Sequence, residues 1–376
     1  MTFEPTEDQA MLRDSVVRCL AETYTFDTRR GIAAAGGFDR AQWRRFADMG
    51  WLAVALPEGM GGIGGAAEEL ALLHEALGHA LVLEPVAAVA TSAAQTLRHA
   101  DLARARDELP ALAAGERLLV LAHHEAGAVG RLSHVDARAE MRAGELRLTG
   151  SKLLLPGGPQ ADAYLVSARE HGQADDEDGI SLFLVPADAT GLVRRAYRLI
   201  DGSAACDLQF DGVVLDASTR VGTAGRAFDA LDQAHALTVV AAIAEALGVM
   251  DRALHTTRDY LLERCQFGVA IASFQVLRHR VADMAIAVAQ SRAMLQHALR
   301  CLHDTDRAAR RRELMLAKAL VGRCGRFVGA QAIQLHGGIG MTDEYVIGHC
   351  FKRLMVLDQW LGDAETLWAR AAGLAS

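Results

Sequence analysis

The chain has 376 residues, which at roughly 150 residues per domain excludes a single small domain and predicts two or three compact units. Hydrophobic residues make up 51% and charged residues 23%, a composition that excludes a disordered or collagen-like chain. The balance of 39 Lys and Arg against 47 Asp and Glu leaves a net charge of −8, with no basic surplus for nucleic acid or an anionic membrane. Aromatics are 5% while Ala and Leu dominate, which favours helix on helix.

The start, Met1 to Ala10, is polar and acidic and lacks the basic and apolar regions of a signal peptide, so a cytoplasmic location is expected. Thr6-Glu-Asp-Gln before Met11, Val16, Val17 and Leu20 predicts a first helix. A second is expected from Asp39 to Met49, ending at Gly50, and a third from Glu68 to Leu81. Between them, Leu56-Pro-Glu-Gly-Met-Gly-Gly-Ile-Gly-Gly65 carries five glycines and reads as a loop. This helical domain spans 1–115.

From 116 to 222 the runs have strand length. Leu118 to Ala122, Glu145 to Thr149, Ala163 to Ala168, Ile180 to Val185, Leu192 to Tyr197 and Asp207 to Phe210 are separated by Gly, Pro and Asp, which predicts a β domain. Asp175-Asp-Glu-Asp178 reads as a solvated loop; four adjacent acids without spaced partners make a poor metal site, and none is expected.

Helical spacing returns over 223–376. Apolar residues from Leu237 to Leu261 recur every three or four positions, predicting a helix of about seven turns up to Arg264. Phe274 to Cys301, Glu313 to Leu335 and Asp358 to Ala372 complete a four-helix bundle. No eighteen-residue apolar run occurs, so nothing is expected to span a membrane. The six cysteines, Cys19, Cys206, Cys265, Cys301, Cys324 and Cys350, are scattered and read as reduced structural thiols. The fold class is mainly α with a β domain.

Arg264-Cys-Gln-Phe-Gly-Val-Ala-Ile-Ala-Ser-Phe-Gln275, followed by Arg280-Val-Ala-Asp-Met284, resembles the R-x-Q-F-G signature of acyl-CoA dehydrogenases. Gln334-Leu-His-Gly-Gly-Ile-Gly-Met-Thr-Asp-Glu344 resembles the same family's Q-x-x-G-G-x-G-x-T-x-E. Trp43 to Gly50, with Pro57-Glu58 and Met60 to Gly65, resembles its N-terminal pattern, so the resemblance covers essentially the whole chain. It implies the three-domain acyl-CoA dehydrogenase fold and flavin-dependent α,β-desaturation of an acyl-CoA thioester in lipid catabolism, with electrons passed to an electron-transferring flavoprotein. Arg264 would hold a phosphate of FAD across a subunit interface, Phe267 would lie against the cofactor, and Gln275 would offer it an amide. Gln334, Gly337 and Gly338 would receive the pyrophosphate. Without the resemblance, Arg264 and Gly268 read as helix-end residues, and the two glycines as a helix stop.

The sequence also departs from the family. Most relatives place a catalytic Glu twenty-seven residues after the Gln of Q-x-x-G-G, where this chain has Leu361; an alternative base position on the preceding long helix holds Thr238. Two acids remain as weaker candidates. Glu245 lies about 10 Å along the helix from Thr238, and is alternatively paired with Arg252 or buried as a hydrogen-bonded acid. Asp363 is alternatively the N-cap of the last helix. In the β domain, the family's T-E-P-x-x-G-S-D is replaced by His124 to Arg131, in which Glu125 survives, and its I-T-N-G by Leu155-Pro-Gly-Gly158.

These gaps fall on the flavin-ring and base side. The pattern resembles small subunits of heteromeric acyl-CoA dehydrogenases acting on bulky acids, of the pimeloyl-CoA or sterol side-chain type. A homo- or hetero-tetramer buried through the bundle is therefore expected, with two other readings open: a non-catalytic partner completing a sister subunit's FAD site, and a flavin monooxygenase of the same fold.

Overall fold

The computed structural model describes residues 6–142, 144–216 and 218–373; positions 1–5 of the polar start lie outside the described residues. In chain order the helices are α1 (Glu7–Thr23), α2 (Phe26–Ala34), α3 (Arg40–Asp48), α4 (Ala67–Ala80), α5 (Ala94–Ala100), α6 (Leu102–Ala113), α7 (Phe228–Glu263), α8 (Gln275–Cys301), α9 (Arg307–His336), α10 (Val346–Gln359) and α11 (Ala364–Ala371). The strands are β1 (Leu119–Ala122), β2 (Arg138–Arg142), β3 (Glu145–Pro156), β4 (Ala163–Arg169), β5 (Ile180–Pro186), β6 (Leu192–Arg198), β7 (Ala204–Leu215), β8 (Arg220–Val221), β9 (Cys265–Gln266) and β10 (Val269–Ala270). Two compact units result. One takes the chain up to Gly31, Glu68–Val82 and everything from Val239 on; the other takes Ile32–Ala67 and Leu83–Thr238.

In the helical unit, α1 opens on a capping box: Thr6 Oγ1 accepts from Gln9 N–H, and Gln9 Oε1 accepts from Thr6 N–H at 3.0 Å. α4 and α7 approach to backbone contact through two glycines. A Cβ on Gly78 would lie 2.0 Å from Glu245 O, and one on Gly248 would lie 1.9 Å from Glu75 O, so neither tolerates a side chain. Gly325 and Gly329 of α9 likewise admit Leu354 and Phe351 of α10.

The β unit is an eight-stranded mixed sheet ordered β6-β7-β3-β2-β4-β5-β8, with β1 joined parallel to β4. β4 is buried along its whole length and β5 over all but its last residue, so these two strands form the core. β3 runs past Thr149, where the sequence predicts its end. Gly150 is no stop: it lies under Ala137, where a Cβ would approach to 2.7 Å, and pairing with β7 carries the strand to Pro156.

Elsewhere the sequence reading needs correction. α2, α5, α6 and β2 were not predicted, because their short apolar patterns are completed by tertiary partners. The helix expected over Asp358–Ala372 does not form as one piece. The bundle's fourth long helix is α10, and the chain breaks at Leu361 (φ 66°) and Gly362 (φ 108°) before α11 starts. Asp363 enforces the new start by capping Glu365 N–H and Thr366 N–H.

Candidate functional site

The R-x-Q-F-G stretch folds as the exit of α7. Arg264 N–H still donates to Tyr260 O (2.8 Å), and β9 and β10 then close a two-residue hairpin. Its central residues, Phe267 (φ 54°) and Gly268 (φ 81°), are both left-handed, as a type I′ turn requires. Glycine adopts that conformation freely; Phe267 does so at a cost on the order of 1 kcal/mol. Its ring is nevertheless 90% exposed, meeting Phe274 edge-on at 6.2 Å. Arg264 and Gln275, the first residue of α8, are also exposed. The turn thus holds an apolar ring out in solvent at a backbone cost.

The second motif ends α9. Gln334 is exposed in the last turn, His336 is buried, and Gly337 turns the chain left-handed (φ 64°) into a 3₁₀ turn reaching Met341. A Cβ on Gly337 or Gly338 would meet nothing within 4 Å, so both glycines face open space, while the Gly337 N–H itself donates to Ile333 O as the cap of α9. The His336 ring is fixed by Ala332 O at 2.8 Å and stacks on Tyr260 at 4.4 Å, and burial lowers its pKa against the opposing Ala332 hydrogen bond. Tyr260 also donates its hydroxyl to His336 O at 3.5 Å. Tyr260 thus joins the two motifs, which lie some seventy residues apart in sequence.

The carboxylate candidates have other partners. Glu245 is buried, and one of its oxygens accepts both Nε (2.7 Å) and Nη2 of Arg353 from α10. The expected pairing with Arg252 is not made: Arg252 donates instead to His79 O of α4 at 2.8 Å. Burial, and then the Arg353 charge, push the buried His74 down to about 3. Asp363 accepts from Glu365 N–H (3.1 Å), Thr366 N–H (3.0 Å) and the Thr366 hydroxyl (2.6 Å). Thr238 donates its hydroxyl to Ala234 O in its own helix. Leu361, half-buried, supplies no acid.

Beneath Leu361 sits a group the sequence does not reveal. Lys318 of α9 is buried and donates to Asp358 O (3.2 Å) and Gly362 O (3.3 Å), gripping the turn from both sides. Burial lowers its pKa to about 8. Gly322 makes room for Asp358, whose Oδ1 would lie 2.1 Å from an added Cβ.

In the β unit, the residues where the sequence departs from the family's pattern are bonded or packed within the chain. Glu125 accepts from Lys152 Nζ (2.5 Å), Asp136 N–H (2.6 Å) and Ala137 N–H (3.1 Å), all in the protein interior. Its survival in the sequence therefore has a scaffold reason. Arg131 donates to Gly127 O (2.8 Å) within its own loop and pairs with Asp175, which also meets His134 Nδ1 at 2.8 Å. The acidic loop is pinned further by Arg169, fully buried, which donates to the carbonyls of Ala174, Asp176 and Asp178. Pro156 has neither N–H nor hydroxyl to offer. A Cβ on Gly157 would lie 2.4 Å from Pro85, and one on Gly158 would lie 2.3 Å from Cys206 Sγ, so this Gly-Gly serves packing. Glu125, His134 and Asp136 place ligand atoms within 4.8 Å of one another, but the Lys152 ammonium already neutralises Glu125, which disfavours a cation.

Family models of acyl-CoA dehydrogenase match along the chain: the N-terminal domain at residues 6–116, the middle domain at 124–213 and the C-terminal domain at 219–373. The chain belongs to the acyl-CoA dehydrogenase family, FAD-dependent oxidoreductases that act on acyl-CoA, and has its three-part fold. Acyl-CoA dehydrogenase FadE27 of Mycobacterium tuberculosis is 29% identical over 335 residues, 87% of this chain and 86% of that one. Among solved structures, a variant of the Tcur3481-Tcur3483 steroid ACAD is 30% identical, with a TM-score of 0.87 over 98% of this chain and 97% of its own. The ChsE4-ChsE5 complex from Mycobacterium tuberculosis is 27% identical at a TM-score of 0.87, covering 99% of this chain and 98% of that chain. Among the described residues no helix is long and apolar enough to cross a membrane.

Proposed function

We propose that this chain is one subunit of a hetero-oligomeric acyl-CoA dehydrogenase that desaturates a bulky acyl-CoA, a sister subunit supplying the base. The observation that carries this reading is a split within the chain. Arg264, Phe267, Gln275, Gln334, Gly337 and Gly338 are all exposed, whereas Glu125, Gly157 and Gly158 on the flavin-ring side are buried and engaged within the chain. That split fits the dinucleotide end of an FAD seated mainly in another chain, and does not fit a flavin ring in this one.

Arg264 has the fork of donors that suits a phosphate, and the turn at Gly337-Gly338, free of side chains, lets a pyrophosphate come close, the Gly337 N–H itself being held by Ile333 O. Phe267 covers apolar surface, and Gln275 and Gln334 add amide hydrogen bonds. FAD, when bound, takes the hydride from Cβ, while removal of the α-proton requires a carboxylate that this chain does not present. Electrons would leave to an electron-transferring flavoprotein. The steroid ACAD and the two-named ChsE4-ChsE5 complex among the similar structures support a two-chain assembly and a bulky acyl group. All six cysteines are free thiols, which accords with a reducing, cytoplasmic setting.

The test is expression alone against co-expression with a paralogous chain that carries Glu at the position of Leu361. The expected result is a colourless, inactive chain alone and a yellow complex whose flavin is bleached by acyl-CoA. One flavin per chain in the isolated protein, reduced by acyl-CoA, would overturn the proposal.

A further inference from the structure

We propose that Arg29 and His349 form a lock that holds the loop from Gly337 to Tyr345 in the shape that receives a dinucleotide. The proposal rests on the reading above that this loop faces the nucleotide. Arg29 of α2 is 1% exposed. Its Nε donates to Leu81 O at 3.0 Å, and its Nη1 lies 2.9 Å from His349 Nδ1 on α10. A guanidinium has donors and no acceptor, so Nδ1 must be the lone-pair nitrogen and the ring proton must sit on Nε2. That proton points at Asp343 O, 3.0 Å away in the loop.

Two further contacts confine the same loop. The Phe26 ring meets His349 edge-on at 5.0 Å, fixing the ring plane. Gly348, the neighbour of His349, lets the loop lie directly on α10: a Cβ there would stand 3.2 Å from Gly340 O and 3.8 Å from Thr342 O. The backbone of 340–343 is thus set by α10, and α10's histidine is set by an arginine more than three hundred residues away in sequence.

A second proton on His349 would place an N–H against the Arg29 N–H and open the lock. The charges facing His349 are Arg29 from α2, Lys352 from its own helix and Asp343 from the loop; Lys352 pairs with Asp343 at 2.9 Å, and Arg30 also acts on Asp343. Burial, with the Arg29 and Lys352 charges, lowers the pKa of His349 against the opposing pull of Asp343.

His349→Gln is the informative variant, since its Oε1 can accept from Arg29 and its Nε2–H can donate to Asp343 O, but it does not titrate. His349→Phe removes both bonds. In the native assembly, amide hydrogen exchange over 337–345 and flavin retained through gel filtration are compared at about pH 7.5 and about pH 4.5, the lower point lying well under the ordinary histidine value because burial moves the ring's titration downward. Wild type should lose protection on the order of tenfold, and lose flavin, at the lower pH. The Gln variant should keep both throughout, and the Phe variant should lack both throughout. Wild-type exchange in the Phe variant, or a Gln variant that still titrates, overturns the lock. Altered exchange with unaltered flavin retention leaves the lock standing but overturns the placement of the nucleotide on this loop.

Discussion

Leu361 sits in a left-handed conformation (φ 66°) that disfavours a branched residue by about 1–2 kcal/mol, and Lys318 holds the turn around it from the carbonyls of Asp358 and Gly362. The turn is therefore maintained although its side chain is apolar. This gives a sharp test of the missing base. Because Glu125 and the Gly157-Gly158 pair are buried inside the β unit, Leu361→Glu is expected to leave the isolated chain inactive. A gain in acyl-CoA oxidation on the order of 10², followed with an artificial electron acceptor, would show that a flavin does seat there. Glu245 offers no substitute, since its carboxylate and the Arg353 guanidinium neutralise each other in the interior and removing either would strand a buried charge.

At the scale of elements, Asp363 separates two roles cleanly. Its three accepted hydrogen bonds define the start of α11, which packs Ala364 and Leu367 on Ala319 of α9. Asp363→Ala should cost about 1 kcal/mol of stability in urea unfolding, the usual loss for a cap. Asp363→Asn should stay within a few tenths of a kcal/mol of wild type, and neither change should alter turnover of the assembled enzyme. A large fall in turnover with Asn, at unchanged stability, would restore Asp363 as a base. The two functional motifs also depend on element ends rather than element interiors: the α7 exit and the α9 exit are clamped together by Tyr260 against His336.

For the whole molecule, pH dependence follows from His74. Its folded pKa of about 3 lies below the ordinary value of 6.5, so folding favours the neutral ring. The stability it contributes is complete above the ordinary value and falls as pH drops from 6.5 towards 3, by about 1.4 kcal/mol per pH unit. Urea midpoints should therefore drop between about pH 7 and about pH 5, and His74→Phe should flatten that slope; an unchanged slope in the variant would assign the effect elsewhere. The helical unit also leaves Leu262, Val276, Ile286 and Met341 more than half exposed, alongside Phe267. Apolar surface of that kind is what an assembled oligomer would cover.

The legible part of this protein is what neighbouring residues encode among themselves. The capped start of α1, the long apolar repeat of α7, the glycine turn after His336 and the capping role open to Asp363 all lie within a few positions, where helix period, dipole and left-handed φ act. The two motifs at the ends of α7 and α9 are readable for the same reason. What the chain order alone left open are choices made between distant segments. These include Arg353 rather than Arg252 for Glu245, Lys152 for Glu125, α10 rather than 358–372 as the bundle's fourth helix, and the burial of Gly157 and Gly158 under Pro85 and Cys206. Polar partners in an interior are set by which side chains meet after the backbone has folded, and no periodicity records that meeting. The sequence by itself determined an acyl-CoA dehydrogenase chain with Leu361 and Thr238 where its resemblance to the family led one to look for an acid; only the tertiary structure decided that Glu245 and Asp363 are already held by partners of their own.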